Sequence, residues 1–486
     1  ASNNSGFGKN ALMSNTTGAD NTASGFEALK VNTTGSQNVA IGALALDANI
    51  TNSGNTAIGY SSLSANNSGY GNTAVGRRAL LSNNGAVNVA VGNDAARSNT
   101  TGSNITAIGG NALYTSSTSS GHTAVGKNAL YYNTQGSENT AVGKIALFAN
   151  NHGSNNVAVG SEALKNNTTG SGHVAVGREA LYANTTGSEN TAMGYGALAN
   201  NTTGDYNTGI GREALQMNTT ASNNTAVGYK ALEENTTGTQ NVAIGSTSLD
   251  SNTTGANNVS IGHTAMESNT TGQRNVAIGS HALDGGNGSF NVAVGHNSLT
   301  ANLASNNTGV GYNALADNTS GTGNVSLGFK ALEANTTADN NTAIGVNALL
   351  ANTTGTQNVA VGSNALDANT TGEYNTALGH NSLTANTTAG HNTGLGYVAL
   401  LNNTTGMFNT SVGAYSLTAN TTANFNTALG YDSLATNTTG SNNTALGTDA
   451  LGANTTASNN TGVGYKALGA NTTGEKNTAL GYQALD

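Results

Sequence analysis

The chain has no cysteine, no proline and no tryptophan in 486 residues, and only 8% of its residues are charged. Without cysteine there is no disulfide, no thiolate metal site and no cysteine nucleophile, and the redox compartment cannot be read. Ordinary globular proteins carry about 25% charged residues, so this surface must be built mainly from uncharged polar groups. Fifteen Lys plus Arg against 24 Asp plus Glu give a net charge of −9. That charge is spread thinly, with no basic stripe, which argues against nucleic acid as a partner. No apolar run approaches the ~20 residues of a membrane span, and no signal peptide opens the sequence. A secreted form would have had its targeting segment removed or carried outside this sequence.

What is there is repetition. NVAVG at 358–362 returns as NTALG at 375–379, and NTTG at 352–355 returns at 369–372, the same step in both cases. Counted from the Asn of the first phrase, units begin at 4, 21, 38, 55, 72, 88 and 105, then at that constant step through 122 and 139 to 275. They continue at 291, 307 and 324, and then at the same step through 341 and 358 to 477. The 29 units follow the seventeen-letter phrase N-[TV]-[AGS]-[VIL]-G-x-x-[AS]-L-x-x-N-T-T-G-x-x. Three of them, 72–87, 275–290 and 291–306, are one residue short, and each loses it in the NTTG segment. No linker interrupts the array. The sequence therefore predicts a single uninterrupted solenoid over 1–486, with no separate capping, anchor or catalytic domain. Ala1-Ser2-Asn3 matches the tail of a unit and Asp486 stops at a tenth position. This predicts open coil ends, as in a fragment of a longer array or a piece of an end-to-end fibre.

The columns of the repeat have a physical reading. Positions two to four are β-branched, small and aliphatic, which suits a short strand. Glycine at position five ends it, by positive φ or by close backbone approach. Positions eight to ten, around Ala-Leu, read as a second short strand, and NTTG is turn chemistry. A glycine at the fifth position of every unit, with NTTG after it, leaves no room for a helix. The expected fold is all-β: a β-solenoid, or parallel β-roll, of about 28 coils, one seventeen-letter unit to a coil, with two short strands and two turns in each. One coil buries too little to offset the ordering of its own backbone, so stability must accumulate by stacking. Identical residues should then form ladders: Asn38, Asn358 and Asn375 an amide ladder, Gly42, Gly362 and Gly379 a groove or bend, and Leu46, Leu366 and Leu383 an apolar column.

Both faces of both strands are apolar or small, so one face fills the coil and the other calls for a cover. Two sheets about 10 Å apart need large side chains between them. The second, fourth and ninth positions are thus expected inside, and the small third and eighth columns outside, where another chain could approach. The inverse assignment is also compatible with the pattern. Either arrangement favours association over a lone monomer.

NVAIG at 38–42, 241–245 and 275–279, with NVAVGHNSL at 291–299, resembles the head repeats of trimeric autotransporter adhesins. Those repeats carry a phrase of the form NSVAIG-x-x-S. The resemblance covers essentially the whole chain and implies a left-handed parallel β-roll with three chains to a head. The full phrase NTAVG-x-x-AL-x-x-NTTG is also similar to repeats in bacterial and phage fibre proteins that end in an endosialidase-type chaperone. Two departures stand out: the coil is longer than that of the adhesin head, and no neck, coiled-coil stalk, membrane anchor or chaperone domain is present.

A uniform ladder offers no convergent unlike groups, so no catalytic, cofactor-binding or metal residue is assigned and the chain is not read as an enzyme. The eight histidines (122, 152, 173, 263, 281, 296, 380 and 391) fall at scattered repeat positions, and acids are too sparse for a calcium roll. NTTG contains an N-x-T sequon, so Asn184, Asn352, Asn369 and Asn471, with Thr353 and Thr354, are candidate glycosylation or surface-ladder positions, the plainer reading being a well-formed turn. Tyrosines at the sixth position (Tyr60, Tyr195, Tyr229, Tyr312, Tyr465, Tyr482) and the tenth (Tyr114, Tyr131, Tyr182) offer an adhesive surface or ordinary edge packing. The expected function is an extracellular structural fibre, an adhesin-like shaft or head on a cell surface or virion, forming homo-oligomers (trimers favoured) or end-to-end fibres. The competing expectation is a solenoid that binds a host-surface, glycan, mineral or ice ligand through Thr, Asn and Tyr ladders.

Overall fold

In a computed structural model of the chain, residues 3–486 are described; the reading of Ala1 and Ser2 as the tail of a unit lies outside them. The chain forms two compact units, Ala1–Ile244 and Gly245–Asp486. Each is a parallel β-solenoid, and together they hold about 28 turns of ~17 residues, with no helix among the described residues. The first unit carries strands β1 (Ser5–Phe7) to β15 (Val242–Ile244), the second β16 (Val259–Ile261) to β29 (Thr478–Leu480), each of three residues. Within a unit, neighbouring strands pair in parallel and column on column, as Ala40 on Ala57 and Ala360 on Ala377.

The coil has one strand, not two. Positions six to eleven, where the Ala-Leu strand was expected, form a run of turns. The cause is backbone handedness. Positions seven and nine are left-handed throughout, with φ of 59° at Leu44 and 53° at Leu46, whereas a parallel strand needs φ near about −120°. Peptide bonds still link the coils on this side. Leu46 N–H donates to Ser62 O at 3.0 Å, and Leu44 N–H donates backward to Phe26 O at 2.9 Å. Glycine at position five meets both requirements read from the sequence. At Gly362 φ is 137°, and a Cβ there would lie 2.5 Å from the carbonyl oxygen of Gly379 in the next coil.

The inside and outside of the strand also correct the expectation. The third, eighth and ninth columns fill the coil: Ala360, Ala377, Leu366 and Leu383 are fully buried. The second and fourth columns face out, with Val359 37% and Leu378 43% exposed. The reason is the missing second sheet. A turn run lies closer to the strand than a facing sheet would. At Gly394 an added Cβ would lie 3.2 Å from Leu383 Cγ. One leucine and two small residues already close that gap, so Val, Ile and Leu of positions two and four cannot enter.

Asparagine fills the rest of the interior. Asn358 and Asn375 of the leading column are fully buried. Asn375 N–H donates to Asn358 Oδ1 at 2.9 Å, and Asn358 Nδ2 donates to Gly372 O across the coil at 2.8 Å. Asn369, in the twelfth column, donates from Nδ2 to the same Gly372 carbonyl at 3.0 Å and to Asn352 Oδ1 of the preceding coil at 2.9 Å. Two amides thus converge on one turn carbonyl, and each of them also bonds its counterpart in a neighbouring coil. Two of the three shortened coils keep this closure, and the third carries Gly286 in place of the twelfth-column Asn. Asn83 reaches Gly85 O, and Asn302 reaches Ala304 O, two residues on rather than three.

Candidate functional site

With Leu, Ala and Asn inside, the outward groups of each coil are the second and fourth columns, the two turns, and positions six, seven, ten and eleven. The fourth column is apolar in every coil after the second and forms a stripe along each unit; Leu327, Leu378, Leu395 and Leu446 are all exposed. No helix among the described residues is long and apolar enough to cross a membrane.

The sequon asparagines are not on the surface. Asn184, Asn352 and Asn369 are fully buried. The nitrogen that a glycan would occupy is engaged twice, as in Asn184 Nδ2 to Asn167 Oδ1 at 2.8 Å and to Gly187 O at 3.0 Å. Asn471, half-buried, makes the same pair of bonds at 3.0 Å each. A glycan would take the place of one of these two N–H donors and so break at least one of the bonds. Thr354 is exposed, while the hydroxyl of half-buried Thr353 is spent on Thr370 O at 3.1 Å.

Surface rings stack on one another. Tyr374, His391, Phe408 and Phe425 occupy one column with centroids 4.9, 4.8 and 5.1 Å apart. Tyr114, Tyr131 and Phe148 do the same in the tenth column, and Tyr465 and Tyr482 in the sixth. Ring faces that could receive a sugar are covered by the next coil, and edges face solvent. Tyr195 and Tyr229, also of the sixth column, lie beside arginine: Arg212 is within 5.7 and 5.9 Å of their centroids.

Two buried histidines stand in for asparagine in the leading column. His173 Nδ1 accepts Asn190 N–H at 3.2 Å, so its proton sits on Nε2, which donates to Gly187 O at 2.7 Å. These are the Oδ1 and Nδ2 roles of the usual amide. Burial lowers its pKa, and burial pushes His122 down to about 4.

Side chains that do not repeat gather where coils are short. Near 72–87, Asp94 is paired with Arg78 (Nη2–Oδ2 3.1 Å), with Arg77 and Arg97 at 3.8 and 3.7 Å. Near 275–306, a cavity of about 490 Å³ opens on the turn side, lined by His281, His296, Asn313, Asp317 and Glu333 among others. His263, His281 and His296 follow one another edge to face at 5.9 and 6.0 Å, although they are not at one repeat position. Their separations, each close to one coil, and the two consecutive short units were the signals for this cluster. Glu333 accepts Asn313 Nδ2 at 2.7 Å and pairs with Lys330 Nζ at 3.2 Å. Asp317 is exposed as a residue, but partial desolvation of its carboxyl, with Glu333 beside it, raises its pKa.

No protein-family model matches this chain, and a search of curated proteins finds no match either.

Proposed function

We propose that the chain is the structural solenoid of an extracellular fibre, an adhesin-like shaft or head that mates with copies of itself. The observation that carries this reading is the fourth column. Apolar side chains face outward in nearly every coil, exposed in about half of them and half-buried in the rest, on a ladder of parallel strands with almost no charge around them. Exposed apolar patches of more than a few hundred Å² mark interaction surfaces. With its second-column neighbours, the stripe of one unit offers on the order of 1,000 Å², against about 800 Å² per partner in a standard interface. The identical spacing of coils makes the natural complement another copy of the same ladder. The resemblance to trimeric adhesin heads favours three copies, and the scarcity of charge suits a surface that presents reach and repetition rather than chemistry. Sedimentation equilibrium on the full chain tests the reading. A mass of three chains is expected; a monomer at micromolar concentration overturns it.

A further inference from the structure

The tenth column of the second unit reads Asp284, Thr300, Ala316 and Glu333 in four successive coils. Thr300 and Ala316, two short residues ahead of Glu333, leave a notch, and this is the cavity of about 490 Å³ beside the shortened coils. Its rim is acidic. Asp317 and Glu333 line it and are opposed by one cation, Lys330, whose Nζ is 3.2 Å from Glu333 Oε2. Two carboxylates and one ammonium leave a local charge of −1 with the histidines neutral. Asp317 is exposed and has no ion-pair partner among the described residues. Asn313 is held by its Nδ2 on Glu333 at 2.7 Å, and its Oδ1 is buried at the wall without a hydrogen-bond partner. The other wall carries the imidazoles of His281 and His296 and the hydroxyl of Thr300, with the methyl of Ala316 as floor. His281 Nδ1 is already engaged with Thr264 Oγ1 at 2.8 Å. The acceptors without partners call for a cationic donor, and the neutral polar wall calls for hydroxyls.

We propose that this notch binds an amino sugar, its ammonium group held between Asp317 and Glu333 and its hydroxyls against Thr300 and His296. The cavity is large enough for one hexosamine ring, and the Ala316 methyl meets the C–H face of that ring. Binding here does not require the fourth-column stripe, which belongs to the strand of the coil, so a monomeric chain would bind equally well. Loss of self-association and loss of this site are separate results.

Titration calorimetry of the full chain with glucosamine, N-acetylglucosamine and Nα-acetyl-lysine amide tests it. Saturable binding of glucosamine is expected, with N-acetylglucosamine weaker by roughly tenfold or more, as for one lost charge-assisted hydrogen bond. Asp317→Asn should weaken glucosamine by a similar factor. Ala316→Leu should abolish binding by filling the notch. Leucine stands at the same column in Leu81, Leu350 and Leu401, so the coil accommodates it, and an unchanged thermal transition verifies that. No saturable glucosamine binding, equal binding of the N-acetylated sugar, or binding that survives Ala316→Leu overturns the proposal. Equal binding of the lysine amide assigns the ammonium to a peptide side chain and overturns the sugar.

Discussion

At the scale of single residues, the coil is held by amides and by unusual backbone. A buried primary amide that is fully bonded specifies geometry, because leaving any of its groups unpaired costs about 1–3 kcal/mol each. That explains why the twelfth column is Asn in all but two coils, Ser116 and Gly286, while the residues after it tolerate deletion. The sequence reading took this Asn as turn chemistry. A turn amide and a core amide look alike in one unit, and only invariance beside a tolerant neighbour separates them. Histidine at the same closure brings a titration. The unfolded imidazole binds its proton near about 6.5, whereas burial holds His122 down to about 4. Between those values the unfolded state carries a proton that the folded state lacks. The contribution of His122 is therefore intact above pH about 6.5 and is lost as pH falls toward 4, by on the order of 3 kcal/mol. Urea unfolding near neutral and acid pH should show a smaller acid loss for His122→Asn than for the parent. Left-handed positions give a second test. Val87 is β-branched, 52% exposed and held at φ 58°, in a column where Asn104 and Asn155 are at home. Val87→Asn should raise stability by about 1 kcal/mol, seen as a higher denaturation midpoint.

At the scale of the coil, the period, the strand at positions two to four and the glycine that ends it were all legible, since each depends on local pattern. The second strand and the inward face were not. Both depend on how near the opposite wall stands, and a left-handed Leu is not written in any propensity. Ala377 and Leu378 are neighbours that separate the two assignments. With Ala377 fully buried and Leu378 43% exposed, Ala377→Leu should cost about 1–3 kcal/mol through overpacking. Leu378→Ala should cost under about 1 kcal/mol. Chemical denaturation of the two variants decides it, and the reverse order would restore the arrangement expected from the sequence. The notch by His281 was missed for another reason. Its tenth-column residues Thr300, Ala316 and Glu333 are joined by His281, His296, Asn313 and Asp317 from other repeat positions, and stacking with two short coils brings them together.

At the scale of the whole molecule, the absence of charge on the outward strand face is the property that matters. Leu378→Glu with Leu395→Glu places two carboxylates on the fourth column, where neither is buried by its own coil. The folded chain should keep its far-ultraviolet spectrum and lose self-association in sedimentation, since like charges would meet across a copy-on-copy contact at a cost of several kcal/mol. Retained association of this variant would move the interface to another face.

The convergence of two amides on one carbonyl, repeated from coil to coil, has a consequence for how such a chain changes over generations. Each coil offers its upper neighbour the same sockets that it finds in its lower one. Excision of residues 358–374 would bring Asn375 onto Asn341, and Gly379 onto Gly345, with each partner finding the group it had before. Excision of a few residues from the strand would leave those groups facing nothing. Copy number is therefore nearly free to drift in whole laps, while the spelling of a lap is tightly edited. A single letter has been dropped where Asn83 and Asn302 still reach their carbonyl, and where Gly286 leaves that closure to Asn275 alone.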